Sequence, residues 1–437
     1  MSSTHADTVR YVRDTMLPER PAPIASSGAI GWLRANLFAG WLNTLLTVAS
    51  ILFVWYILAA ALPWVLRSSW SAGSLAECRE VIQARYGEGA DGACWAVIRE
   101  RYLQLFYGFY PSHLYWRPNL AFVGAALALS PILFPAVPRK LLWFTALFPF
   151  FGAWLLWGGS FWMPVMALAG FGLGWVAFRL VLPFLGTLGG VTAAILVPVL
   201  WWIFLSADAA RDLHRLVPLG LTPVVSRDFG GFMLSITIGL SAITGSLPLG
   251  ILLALGRQSD LLIVKSLCVG FIEFIRGVPL ITLLFVASLL LNYFLPPGTD
   301  FDIIVRVIIM VTLFASAYMA EVIRGGLAAL PWGQYEAADA LGLDYWKAQR
   351  LIVMPQALKI SIPGIVSTFI GVFKDTTLVS IIGLLDPIGF STAIRADTDW
   401  NGIVWELYGF IALVFFIFCF SMSRYSMYLE RRLQTDH

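Results

Sequence analysis

The sequence predicts an all-α integral membrane protein, a polytopic helical bundle of about ten spans. Composition is the first reason. Of the 437 residues, 59% are hydrophobic and 13% are charged, about half the charged share of a soluble domain. Mean hydropathy is +0.79. The second reason is that runs of more than about 18 apolar residues recur along the chain, each long enough to cross a bilayer. The net charge of +3 comes without a basic, aromatic-interleaved patch, so no nucleic-acid partner is expected.

The elements follow in order. Residues 1–36 form a polar tail containing Arg10, Arg13, Arg20 and Arg34. It leads into an apolar run too long for a signal-peptide core, so an uncleaved first span at Leu37–Leu62 is expected. Residues 37–205 form an amino-terminal set of extra spans, interrupted by a polar loop over 63–118 that is expected to be periplasmic. Cys78 and Cys94 share that loop, and a disulfide between them is open in an oxidising compartment. Spans then follow near Leu120–Ala136, Leu141–Trp157, Phe161–Leu182 and Phe184–Leu205, their edges blurred by six prolines. A connector, 206–229, ends this half.

The second half, 230–430, opens with a span at Gly230–Leu255. Leu261–Gly277 is interrupted by Lys265, Glu273 and Arg276, and reads as an interfacial helix feeding a span at Val278–Leu295. Further spans are expected at Ile303–Ile323, Ile362–Leu385 and Ile403–Ser423, with a tail at 431–437. Lys140, Lys265, Lys347 and Lys359 fall on one predicted side, together with both termini. The positive-inside rule makes that side cytoplasmic.

Polar residues inside spans mark function or pairing. Lys374, Asp375, Thr376 and Thr377 fall within the Ile362–Leu385 run, where each charge costs roughly 2.5–3.5 kcal/mol if it faces lipid. Gly364, Ser367, Thr368 and Gly371 share their stripe, and Ile365, Phe369, Val372 and Val379 form the opposite face. The pair serves either a translocation cavity or a structural ion pair. Glu273 with Arg276, and Glu321 with Arg324, are i,i+3 pairs near helix ends, read as gates or as snorkelling ends. No phosphate-cradling loop, metal cluster or nucleophile–base arrangement is present, so neither catalytic residues, metal nor a cofactor is expected on this chain.

Between two apolar segments lies a polar island. Pro331 suits a helix start, Gln334–Leu341 is rich in helix formers and Gly342 suits the stop. Asp344 can cap a second helix, which Pro355 is expected to close. Glu336-Ala337-Ala338, three residues, Gly342, nine residues and Ile352-Val353-Met354-Pro355 together resemble the EAA loop of ATP-driven importer permeases, with Met354 in a Leu position.

Glu273–Leu280, Ala320–Gly326, Gly333–Tyr335 and Lys374–Leu378 resemble the polar-amino-acid branch of these permeases, related to histidine and glutamate importers. The amino-terminal extension is similar to one permease subunit of general L-amino-acid or glutamate/glutamine transporters. The resemblance implies a five-span type I permease core in residues 230–430. It implies an ATPase-coupling role for Glu336, Ala337, Ala338, Gly342 and Pro355 within a loop at 331–355. It maps the substrate-contact segment to Lys374, Asp375, Thr376 and Thr377, with Glu321 a further candidate. It implies as partners a second, different permease chain, an ATPase homodimer holding ATP and Mg, a periplasmic amino-acid-binding protein, an amino-acid substrate and membrane lipid. The rival reading is an ion-coupled secondary transporter using the intramembrane Lys, Asp and Glu residues; it would typically show an inverted repeat, and none is visible.

Overall fold

Glycines and prolines cut the apolar runs into helices. The computed structural model describes residues 28–290 and 302–433. Most of the predicted amino-terminal tail, the end of the Val278–Leu295 span and residues 434–437 lie outside these. The chain divides into two units, one of residues up to Ser69 with Arg79–Ala93, the other of Trp70–Cys78 with Cys94 onward.

In the first unit, α1 (Gly28–Asn36) leads into α2 (Trp41–Leu66). The Thr47 hydroxyl donates to the Leu37 carbonyl at 2.8 Å, fixing the turn between them. None of the residues of α2 is buried, as suits an apolar helix whose solvent is lipid. The amides of Ser69 and Ala93 donate to Ala93 and Trp64 at 3.0 and 2.8 Å.

The second unit holds the rest. Of α3 (Leu75–Tyr86) it holds the residues up to Cys78, which is joined to Cys94 as a disulfide with Cα atoms 6.2 Å apart. Next come α4 (Ala96–Tyr107), α5 (Trp116–Leu133), α6 (Leu142–Trp157) and α7 (Trp162–Leu200). Gly186 sits at φ 64°, ψ −167°, a conformation closed to L side chains, and α7 folds back there. The Trp201 and Trp202 indoles donate to the Met166 and Ala167 carbonyls at 2.8 and 3.0 Å. Gly174 faces Pro198, and Gly190 faces Phe178. These pairings run antiparallel, so α7 is a hairpin of two passes. The short α8 (Ser206–Leu216) follows, and Gly159–Ser160 pairs with Gly220–Leu221 as a two-stranded antiparallel ribbon.

The carboxy-terminal half packs around α9 (Gly231–Arg257) and α12 (Ile303–Ala328). Between them lie α10 (Leu262–Gly277) and α11 (Leu280–Phe285), whose axes bend by 102°. Pro279 explains the bend: it lacks an amide hydrogen and drives Val278 into extended geometry, φ −107°, ψ 132°. Beyond α12 come α13 (Gly333–Ala340), α14 (Tyr345–Ala348), α15 (Met354–Asp375), α16 (Pro387–Ala396) and α17 (Trp405–Leu433). Gly326 lies against Ala357 and Ser361, and Gly364 against Val322, so α12 and α15 approach at backbone distance.

Among the described residues, seven helical runs are long and apolar enough to cross a membrane, and the bent α10–α11 pair makes an eighth. One of the seven is the α7 hairpin, and the 18-residue α5 packs beside α6. About ten passes fit this arrangement.

The segment after the disulfide is built into the core. The Cys94 amide donates to the buried Glu406 carboxylate at 2.8 Å. Phe106 packs on Phe232 and Phe109 on Phe390, with ring centroids 5.3 and 5.0 Å apart. Gly108, Gly230 and Gly231 let three backbone segments touch where any Cβ would collide. Arg117, 2% exposed, donates to the Thr222 carbonyl at 2.7 Å and its hydroxyl at 2.6 Å.

Candidate functional site

Two regions hold the sequence-predicted residues, joined by one helical run. The first is the turn between α13 and α14. Gly342, at φ +69°, ends α13 in a Schellman arrangement. Its amide donates to Asp339 at 2.9 Å and that of Leu343 to Ala338 at 3.2 Å. Asp344 then caps α14 through the Lys347 amide at 2.9 Å and pairs with the Lys347 ammonium at 3.0 Å. That amide first, and the ammonium beside it, hold the Asp344 carboxyl below its ordinary range. Glu336, Ala337 and Gly342 are exposed, whereas Ala338 is buried against its own chain. The outer face thus presents Glu336 and two of the three alanines, flanked by exposed Trp332, Leu341 and Trp346. Those two tryptophans and Leu341 were not singled out from the sequence. Nearby, Gln334 and Gln356 bond at 2.9 Å and lock α13 to α15.

Pro355 does not close the second helix. The chain forms a π turn at Gln349–Val353, with the Met354 amide donating to Gln349, and continues into α15 with Pro355 in its first turn. Proline is tolerated there because the π turn just upstream already breaks the regular i→i−4 ladder, so its missing amide hydrogen removes no regular bond. One helical run therefore extends from Tyr345 to Ile382.

The second region is the far end of that run. The α-helical part of the run ends at Asp375, so Lys374 and Asp375 fall in its last α-helical turn. A 3-10 segment, Thr376–Ile382, follows and stops at left-handed Gly383. The Thr376 and Thr377 hydroxyls donate to Phe373 and Lys374 carbonyls at 2.7 and 2.9 Å. Lys374 is exposed and Asp375 half-buried. Among the described residues no ion pair joins them; adjacent helical positions point apart. The apolar face expected for this helix is the packed one, with Ile365, Val372 and Val379 buried. The small-residue stripe is open at Ser367 and Gly371.

The acid–base pairs regroup. Glu321 does meet Arg324, at 2.9 Å. Glu273 does not meet Arg276: Arg276 lies 3.7 Å from Glu321, and Glu273 bonds Arg257 at 2.9 Å. Arg257 also reaches Glu321 at 2.7 Å, so three arginines converge on one carboxylate and tie α9, α10 and α12. Arg257 carried no signal in the sequence, because its role depends on two other helices.

The family model of a binding-protein-dependent transport system inner membrane component matches residues 246–435. Over 428 residues, 98% of this chain and 99% of the relative, the sequence is 61% identical to a glutamate/glutamine/aspartate/asparagine transport system permease protein of Rhodobacter capsulatus. This chain belongs to the amino-acid ABC transporter permeases. An inner membrane amino-acid ABC transporter permease protein of Escherichia coli is 40% identical over 96% of both chains. A solved amino acid ABC transporter structure aligns over 46% of this chain and 91% of that one, with 30% identity and a TM-score of 0.42. The permease is thus a multi-pass inner-membrane transport component. Its two full-length relatives also carry the amino-terminal half, which the family model does not cover.

Proposed function

We propose that this permease moves acidic amino acids and their amides from periplasm to cytoplasm, driven by ATP bound with Mg on a separate ATPase homodimer. One observation carries the proposal: the exposed Glu336–Gly342 turn and the Lys374–Thr377 segment are joined through Gln356 and the continuous run from Tyr345 to Ile382. The ATPase docks on Glu336, Ala337 and Gly342, with buried Ala338 seating that turn on its own chain and Pro355 at the root of the lever. Its closure moves α15 and alternates access. Lys374, Asp375 and Thr377 line the substrate path with Thr376 buried behind them, and Glu321 with Arg257, Arg276 and Arg324 holds the helix ends on the ATPase side together. The 61% identity to a permease named for glutamate, glutamine, aspartate and asparagine supports the substrate class.

The open stripe at Ser367 and Gly371 supports a second, different permease chain facing it. A periplasmic binding protein delivers substrate on the Cys78–Cys94 side, where an oxidising compartment sustains the disulfide. Lys140, Lys265, Lys347 and Lys359 support cytoplasmic termini. The test is the intact mass of the gently solubilised complex together with uptake in proteoliposomes. Two permease chains, two ATPases and strictly ATP-dependent glutamate uptake are expected. A chain that purifies alone and moves amino acids on an ion gradient would overturn the reading. Asp375→Asn is expected to change substrate affinity with the complex intact; loss of assembly would make Asp375 structural.

A further inference from the structure

We infer that the cleft between the amino-terminal bundle and the core holds an acyl chain of a bilayer phospholipid. The cleft measures about 740 Å³, within the ~300–1,000 Å³ typical of ligand sites. One wall comes from α5, α6 and α7, the other from α9 and α12.

Helix register sets its depth. At the mouth lie Pro118 in the first turn of α5, Met233 in the first turn of α9, Trp157 at the end of α6, and Asp302 capping α12. All four are on the disulfide side. The lining descends to Ala125, Leu240 and Phe148, each nine residues along its helix from Trp116, Gly231 and Trp157. Nine residues rise about 14 Å, close to the ~15 Å half-thickness of the hydrocarbon core. The cleft therefore runs from the membrane boundary nearly to the midplane, the reach of one lipid tail. Deep on its rim Pro149 and Ser241 are exposed, so it opens sideways below the mouth, where lipid is.

The chemistry of the lining disfavours a polar occupant: apart from Ser241 at its edge, its polar side chains are engaged within the protein. The Thr237 and Ser206 hydroxyls donate to the Met233 and Trp202 carbonyls at 2.7 and 3.1 Å. The indoles of Trp154, Trp157 and Trp202 donate to Gly159, Ser226 and Ala167 at 3.1, 2.7 and 3.0 Å. The Asp302 carboxylate accepts from the Ile304 and Val305 amides and the Ser226 hydroxyl. A zwitterion or a chain of waters would lose hydrogen bonds it could not replace. An empty cleft would lose dispersion contacts along its length. A hydrocarbon tail suffers neither loss. The bound tail is then a packing element of the seam, letting the two halves shift without opening a void.

The experiment uses the full-length protein in liposomes doped with phosphatidylethanolamine bearing a diazirine near the end of one acyl chain. Photolabelled residues are located by mass spectrometry. Labelling of Ala125 and Ile236 is expected to exceed that of Val123, a lipid-facing residue at similar depth, by about tenfold, a 1.4 kcal/mol preference. Ala125→Trp, and Leu240→Trp from the opposite wall, are each expected to remove that excess and leave Val123 unchanged. Equal labelling of cleft and Val123, or an excess that survives both filled variants, overturns the proposal. Labelling by a diazirine fatty acid but not by the phospholipid overturns the assignment to a bilayer lipid. None of these readouts depends on transport or its substrate.

Discussion

Arg257 and Glu321 meet at 2.7 Å, and the same guanidinium nitrogen lies 2.9 Å from Glu273. One side chain at the end of α9 thus holds a carboxylate on α10 and another on α12. Glu321 is only 17% exposed, so this contact is less screened than a surface pair. Arg257→Gln is expected to lower stability by about 1–3 kcal/mol, read as a fall in melting temperature in detergent. Glu321→Gln should cost less in that background than alone, because the two changes remove one shared interaction. Additive losses would mean that the contact contributes nothing.

Gly342 has φ +69° and no neighbouring atom within 4 Å of an added Cβ. A substitution there strains the backbone without creating an internal clash. Asn visits this region more readily than other side chains, so Gly342→Asn should retain most ATP-dependent uptake. Gly342→Asp adds a charge to the proposed docking face and should abolish uptake while the protein remains in the membrane. Copurification of the ATPase distinguishes lost docking from lost folding.

Gly231 combines φ +57° with a Cβ position that collides with the Leu105 carbonyl. Gly231→Ala should destabilise the contact between α4 and α9 by about 2–3 kcal/mol. Limited proteolysis of the 95–115 segment is the measurement, with faster cleavage expected in the variant.

Asp386 is fully buried in the turn before α16, where its carboxylate caps Gly389 at 2.9 Å. Burial outweighs that bond and pushes its pKa from 3.8 up to about 6. The folded state therefore holds the proton more tightly than the unfolded state. Stability is greatest below the unfolded value, falls as pH rises between about 4 and 6, and is flat above. The difference is at most about 3 kcal/mol. Wild type should gain more in melting temperature between pH 7 and pH 5 than Asp386→Asn, which keeps a capping oxygen but does not titrate.

Much of this was legible in the sequence for a physical reason. Lipid demands long apolar runs and leaves few alternatives to a helix, so passes such as α9 and α12 announce themselves. Gly342 was legible because a left-handed stop has few substitutes. Pro355 was misread as a helix end because a π turn upstream, set by context, carries the helix into the proline's tolerated first turn. Glu273 was paired with Arg276 from spacing alone, whereas Arg257 lies closer across a helix interface. The cleft had no signal in the sequence, since its walls are ordinary membrane helices made adjacent only by tertiary packing.

The unbroken run from Tyr345 to Ile382 has a mechanical meaning. From Tyr345 to Asp375 it spans about 45 Å, so tilting it by about 5° at one end displaces the other by roughly 4 Å by the same geometry. A stiff rod delivers that displacement undiminished; a soft joint absorbs it. The π turn at Gln349–Val353 is one soft joint on its path, at the loop end, and Pro363 inside α15 is a second. On the coupling role proposed above, torque entering at the loop would cross the π turn and then Pro363 before reaching Lys374 as motion of the shaft.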